Sequence, residues 1–203
     1  MWGLVESGSI TKLINNPKGM VIGDIQYSRN IFSSRWTNAE REAIGIYEVE
    51  FDNTNKKDEQ WYINTNQSFA FAGGKITASY GSATAKAHAD TLFTAQDESD
   101  GKGTEGEVKA EGLKTKKIRA LKQRAASELA NTDWYVVRKA DAGTAVPSAI
   151  TNHRAAVRTK CAEMETAITN ASNAAAIETL YTYTKQEDGS VTRPLGELPT
   201  LEV

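Results

Sequence analysis

The chain changes its hydrophobic period once. Before residue 96 apolar residues alternate in short runs broken by Gly, Asn and Pro; after residue 112 they recur at three- and four-residue steps. Between these regimes lies Gln96-Asp97-Glu98-Ser99-Asp100-Gly101-Lys102-Gly103-Thr104-Glu105-Gly106, which contains no bulky apolar residue. Residues 96–112 carry six acids against two bases, and like charges among glycines favour a solvated, extended segment. The expected fold class is therefore α+β. A β-rich N-terminal docking domain (1–95) and an acidic linker (96–112) precede a helical C-terminal domain (113–203), a hairpin or small bundle ending in a β-hairpin.

In the first half, Leu4 to Ile14 reads as a hairpin about Ser7-Gly8, stopped by Asn15-Asn16-Pro17. Thr37-Asn38-Ala39-Glu40 fits a capping box opening a short helix that ends near Gly45. Ile46-Tyr47-Glu48-Val49-Glu50-Phe51-Asp52 alternates as a half-buried strand does. Further strands are predicted around Trp61-Tyr62-Ile63, Phe69-Ala70-Phe71 and Lys75 to Tyr80, with Gly73-Gly74 as a turn; Ala83 to Ala95 reads as helix.

In the second half, Ile118, Leu121, Ala125 and Leu129 form one helical stripe. Pro147-Ser148 opens a second helix on which Ile150, Val157 and Met164 repeat every seven residues, as do Arg154, Cys161 and Ile168. Such a seam suits either a bundle within the chain or a partner helix. Ser172 is placed to cap a short third helix through Ile177 and Leu180. Tyr181 to Thr192 reads as a terminal hairpin, stopped by Arg193-Pro194-Leu195-Gly196 and Pro199.

Composition excludes several function classes. A net charge of −2 over 203 residues argues against a strongly basic nucleic-acid module. No apolar run approaches the roughly 18–20 residues of a bilayer span, and Met1 to Glu6 has no signal-peptide pattern. One cysteine, Cys161, excludes an internal disulfide, and two histidines leave little for a metal site; no metal or cofactor is expected. His88 stands two residues before Asp90, an arrangement open to a base with its orienting carboxylate but read here as two solvated side chains. Cys161 lies on the apolar stripe and reads as a small core residue, and His153 as a polar contact at the seam. Glu40, Glu42, Glu48 and Glu50 offer acids but no evident cleft, and phosphate-loop, nucleophile-elbow and zinc-protease motifs are missing from the sequence. Enzymatic activity is not expected. Lys114, Lys116, Lys117, Arg119, Lys122 and Arg124 place six cations in eleven residues without an acid or an aromatic. A solvated helix face, or an electrostatic match to the acidic 97–111 segment or to a partner, is expected there in preference to phosphate binding.

One stretch carries a resemblance. Leu129-Ala130-Asn131-Thr132-Asp133-Trp134 follows a basic helix; Arg138, Asp141 and Val146-Pro147 come next, then His153-Arg154-Ala155-Ala156-Val157-Arg158. This order resembles the phage tail fibre assembly proteins and related tail-associated virion proteins, with His153 in place of a Tyr and Val157 in place of a Leu. Trp36-Thr37-Asn38-Ala39-Glu40 through Val49 is similar to the segment leading into that family's Gly-hydrophobic-Tyr-x-Val strand. The resemblance implies a Thr-Asp-Trp turn that joins two helices. Read physically, Thr132, Asp133, Trp134, Arg154 and Arg158 form a fold lock. Trp134 is expected to bury a large surface, and the arginines to pair with Asp133 or Asp141. Ile118, Leu121, Leu129, Ile150, Val157, Cys161, Met164 and Ile168 form the interaction seam. The expected function is that of a bacteriophage virion structural protein in the tail or tail fibre, made in the host cytoplasm. It would contact other tail or fibre proteins and self-associate; an assembly chaperone that leaves before the particle matures is the alternative.

Overall fold

The computed structural model describes residues 1–65 and 67–201, and the fold is α+β. The chain divides into two compact units, Met1–Thr84 and Ala85–Val203. The division falls before the expected linker because residues 85–112 fold with the helices that follow.

The first unit is built on β1 (Trp2–Glu6), β2 (Ser9–Ile14), β3 (Met20–Ile22), β4 (Ile25–Tyr27), α1 (Asn38–Ala43), β5 (Ile46–Asp52), β6 (Tyr62–Ile63), β7 (Gln67–Ala72) and β8 (Lys75–Tyr80), with a 3₁₀ turn at Arg29–Phe32. The main sheet has the order β2-β1-β5-β8-β7, with β5 and β8 parallel and the other neighbours antiparallel. Both predicted hairpin turns form. Ser7 and Gly8 have φ of 50° and 77°, and Gly73 and Gly74 have 58° and 77°, the left-handed pair that matches the twist of flanking strands. The capping box closes α1: the Glu40 N–H donates to Thr37 Oγ1 (3.3 Å) and the Thr37 N–H to Glu40 Oε2 (2.7 Å). A hairpin that the sequence did not predict, β3–β4, turns at Gly23.

Both faces of this sheet are apolar. Val5, Val49, Ile76 and Ala78 pack with Tyr47, Phe69 and Phe71 on one side; Leu4, Ile14 and Ile46 pack with Trp2, Ile22 and Phe32 on the other. Gly3 has no Cβ because Ile76 Cδ1 occupies that position. Arg41 is buried yet satisfied: its Nε donates to Ile31 O (2.8 Å), Nη1 to Asn38 Oδ1 (2.9 Å) and Nη2 to Ser33 O (2.6 Å), with Trp2 stacked on the guanidinium.

After β9 (Thr84–Ala85), the second unit comprises β10 (Thr91–Leu92), α2 (Ala95–Ser99), β11 (Val108–Ala110), α3 (Leu113–Ala130), α4 (Asp133–Ala142), α5 (Ser148–Asn170), α6 (Ala174–Tyr181) and the terminal hairpin β12 (Thr184–Lys185)–β13 (Val191–Thr192). The helix expected over 83–95 does not form, and the expected linker is folded. Thr94 and Asp97 make a second capping box, Lys109 pairs with Asp97 (2.8 Å), and β10 pairs with β11. Gly103 lies against the Phe93 ring, too close for a Cβ. Acidic residues that suggest repulsion are here spent on a cap and on ion pairs: Asp97 with Lys109, Asp100 with Lys102 and Glu111 with Arg119. The cap of α6 is Asn173, whose side chain accepts from the Ala176 N–H (2.9 Å), and not Ser172.

The start of α3 is capped from a distance. Gly112 carries no capping side chain; instead its N–H donates to Asp90 Oδ1 (2.7 Å), and the Thr115 hydroxyl donates to Asp90 Oδ2 (2.8 Å). The next two amides donate to the carbonyls of Ala87 and His88. Three of the four orphan donors of the helix are thereby satisfied by one upstream strand of chain. A Cβ on Gly112 would overlap the Ala89 carbonyl, so the close approach requires glycine. The Gly112 N–H, then Thr115, hold the Asp90 carboxyl below the ordinary aspartate range. A group with a depressed folded pKa stabilises above its unfolded value, and that stabilisation is lost as pH falls through the folded one. Hydrogen exchange of the 112–115 amides is expected to accelerate as pH drops below about 3.9, relative to the intrinsic rate. Unchanged protection down to full protonation would contradict this role.

Candidate functional site

The seam lies inside the chain. Leu121, Ala125, Val157, Met164 and Ile168 bring α3 and α5 together in one core, joined by Leu195 and Leu198 from the tail. Ile118, Leu129 and Cys161 are partly buried at its margin, and Ile150 is buried one end along α5. The partner-helix option is thus filled by the chain itself. Residues 193–199 also do more than end the hairpin: Arg193 Nη2 donates to Glu197 Oε2 (2.9 Å) and the Tyr183 hydroxyl to Glu197 Oε1 (2.6 Å), which clamps the tail where Leu195 and Leu198 dip into the core. The Leu-x-x-Leu spacing was the available signal, masked by Pro194 and Pro199. Burial, with Glu165 nearby, pushes the Cys161 thiol above its ordinary range, as suits a packing residue.

The basic run of α3 is largely consumed within the unit. Lys114 donates to Thr169 O (2.7 Å), Lys117 lies over the Tyr181 ring (4.8 Å), Arg119 pairs with Glu111, Lys122 with Glu165 (2.8 Å) and Arg124 with Glu197 (3.5 Å). The solvated face of the sequence reading is a row of surface ties.

The fold lock assembles in part. Where α3 ends, its last carbonyls lack helical partners and carry the negative end of the helix dipole. Arg154 of α5 reaches this point: Nη1 donates to Leu129 O (2.8 Å) and Thr132 Oγ1 (2.7 Å) and lies 2.8 Å from Asp133 Oδ1. The Thr132 hydroxyl donates in turn to Leu129 O (2.9 Å), and Thr132 is fully buried. Asp133, in the first turn of α4, adds a carboxylate at a positive helix end. Beside the lock, buried His153 has Nε2 3.3 Å from Glu128 Oε1 without hydrogen-bond alignment.

Two expected members stay out. Arg158 reaches neither Asp133 nor Asp141; its Nη1 makes one long contact, 3.5 Å, to the Arg154 carbonyl. Trp134 is 51% exposed and does not seal the hairpin. The reason is local. Thr132 starts a new helix where a turn was expected, and α4 runs ten residues to Gly143 in the left-handed conformation (φ 68°). Among the described residues α4 buries none of its own, leaving Val136 (44%) and Val137 (65%) exposed beside Trp134. The indole stacks on Tyr135 (centroids 3.8 Å apart), and the Arg138 guanidinium lies 4.6 Å from the Trp134 ring centre. Arg138 donates to no acceptor among the described residues, and its Nε is shielded beneath the rings.

Trp, Tyr and Arg clustered on an uncovered helix are the residue types that dominate binding energy at protein interfaces. One face of α4 carries Trp134, Val137, Arg138 and Asp141, at the i, i+3, i+4, i+7 spacing. That spacing, together with Gly143 as helix stop, is the sequence signal for α4. Because Trp134 packs mainly against its own helix, Trp134→Ala is expected to cost less than about 1 kcal/mol of stability. A loss of about 3–5 kcal/mol in chemical denaturation, as for a core Trp, would contradict the exposed placement.

Comparison with protein-family profiles, curated proteins and solved structures finds no match.

Proposed function

We propose that the chain is a bacteriophage virion structural protein, a tail or tail-fibre component that works through protein–protein contacts and self-association. The observation that carries this reading is α4, a helix that exposes Trp134, Val136 and Val137 and buries nothing. An apolar, arginine-stacked helix face left open to water has a physical rationale as a contact surface. Support for the tail comes from the order of Thr132-Asp133-Trp134, Val146-Pro147 and Arg154, which resembles the tail-associated proteins. The protein acts by fitting surfaces together and not by catalysis. The test is quantitative mass spectrometry of purified virions of the phage that carries this chain. The expected result is a stoichiometric signal that persists through density-gradient purification. Presence in lysates but not in mature particles would replace this reading with the assembly chaperone, and presence in neither would reject both.

A further inference from the structure

The exposed face of α4 carries charge in a self-complementary order. Arg138 and Asp141 stand three residues apart on it, and neither has an ion-pair or hydrogen-bond partner among the described residues. The other arginines of this unit, 119, 124, 154, 158 and 193, all reach a carboxylate or a backbone carbonyl. Asp133 is likewise engaged, by Arg154. Arg138 and Asp141 are therefore the unspent charges of the stripe, one of each sign.

We propose that α4 docks on α4 of a second copy of this chain, antiparallel about a two-fold axis passing between Lys139 and Ala140. In an antiparallel pair with that centre, Arg138 of one copy stands opposite Asp141 of the other, and the symmetry forms the same pair twice. Trp134 lies over the second copy's turn after Gly143, where a Cβ on the glycine would meet nothing within 4 Å, so the turn offers an open seat for the indole. The guanidinium is already held flat by Trp134 and Tyr135 at 4.6 and 5.4 Å, which reduces the entropy lost when it pairs. An acidic partner protein would explain the free Arg138 but leave Asp141 facing a like charge; a second copy uses both.

One ten-residue helix per copy spans about 15 Å, so the interface belongs to the class under about 1,200 Å² that associates weakly. The contact is concentration-dependent in solution and strengthened where copies are arrayed. The proposal rests on the self-association part of the proposed function, moving the self-contact from the seam to α4. Solution measurements on the purified chain keep its outcome separate from that of the virion census.

The experiment is sedimentation velocity of the full chain from about 10 µM to 1 mM, a range spanning dissociation constants of weak dimers. The wild-type chain is expected to shift from monomer to dimer. Arg138→Asp and Asp141→Arg each place like charges across the axis and are expected to weaken association at least about tenfold, a change of 1.4 kcal/mol. The decisive arm mixes the two variants: the Arg138→Asp copy carries two acids and the Asp141→Arg copy two bases, so the mixture associates although neither does alone. The double variant Arg138→Asp/Asp141→Arg also restores the dimer. These exposed substitutions are checked for unchanged circular dichroism. A chain that stays monomeric throughout, an Arg138→Asp variant that dimerises as wild type, or a mixture that fails to associate would each overturn the proposal. So would a monomer whose α4 binds only another tail protein.

Discussion

Val157→Asp is expected to abolish the folded helical unit. Val157 is 0% exposed and sits where α3 and α5 close on Leu121, Ala125, Met164 and Ile168. A carboxylate there enters a cluster of apolar side chains, and an uncompensated buried charge costs about 3–5 kcal/mol or more. Small domains are stable by only about 5–15 kcal/mol in total, so this single change removes most of the margin. Val157→Ala, which deletes methyl groups without adding charge, should cost about 2 kcal/mol and leave a cooperative transition. The contrast is read by thermal melts followed at the helical circular dichroism band. A Val157→Asp chain that melts like the wild type would mean that the α3–α5 contact is not the core of this unit.

Arg154→Ala is the second large effect, about 3 kcal/mol, for a different reason. The guanidinium donates to the Leu129 carbonyl, which also accepts from the Thr132 N–H and hydroxyl, and to the buried Thr132 hydroxyl itself, and hydrogen bonds involving a charged group are worth about 1.5–3 kcal/mol each. Its contact with Asp133 contributes less, because that carboxylate is 59% exposed and exposed ion pairs are worth about 0–1 kcal/mol. Asp133→Asn should accordingly cost under about 1 kcal/mol while Arg154→Ala costs several times more. Equal losses would show that the ion pair, not the capping of the α3 carbonyl, dominates. All three contacts use one nitrogen, so Arg154→Lys, with three donors on a shorter stem, should recover part of the stability.

These two sites differ in how legible they were. The seam was readable because one apolar stripe on α3 and one on α5 repeat at helical spacing, and burial follows period. Arg154 could be matched with Asp133 because its place on one face of α5, four residues before Arg158, turns it toward the junction that Asp133 opens. The capping box at Thr37 and Glu40, the Ser7-Gly8 and Gly73-Gly74 turns and the terminal hairpin were likewise local signals. What escaped the sequence depended on partners distant along the chain. Asp90 caps α3 across 22 residues, Lys109 neutralises Asp97, and Gly112 and Gly103 permit close approaches that composition presents as linker flexibility. Trp134 misled for a related reason. A large aromatic beside a helix junction suggests burial, yet the residues after it continue as a helix and carry the ring away from the core. Arg158 has the spacing to join Arg154 but makes only one long contact, to the Arg154 carbonyl.

Leu195 and Leu198 complete a core whose other walls were laid down far earlier in the chain. During vectorial synthesis, at about 5–20 residues per second, the last residue of α5 is made about 1–5 seconds before Leu195. Until the tail is made, this core lacks one wall, and apolar surface left open in an incomplete chain is prone to aggregate. Conversion from sticky intermediate to finished subunit is therefore clocked by the arrival of the tail, and any extension appended beyond it would have to leave this last fastening free to close.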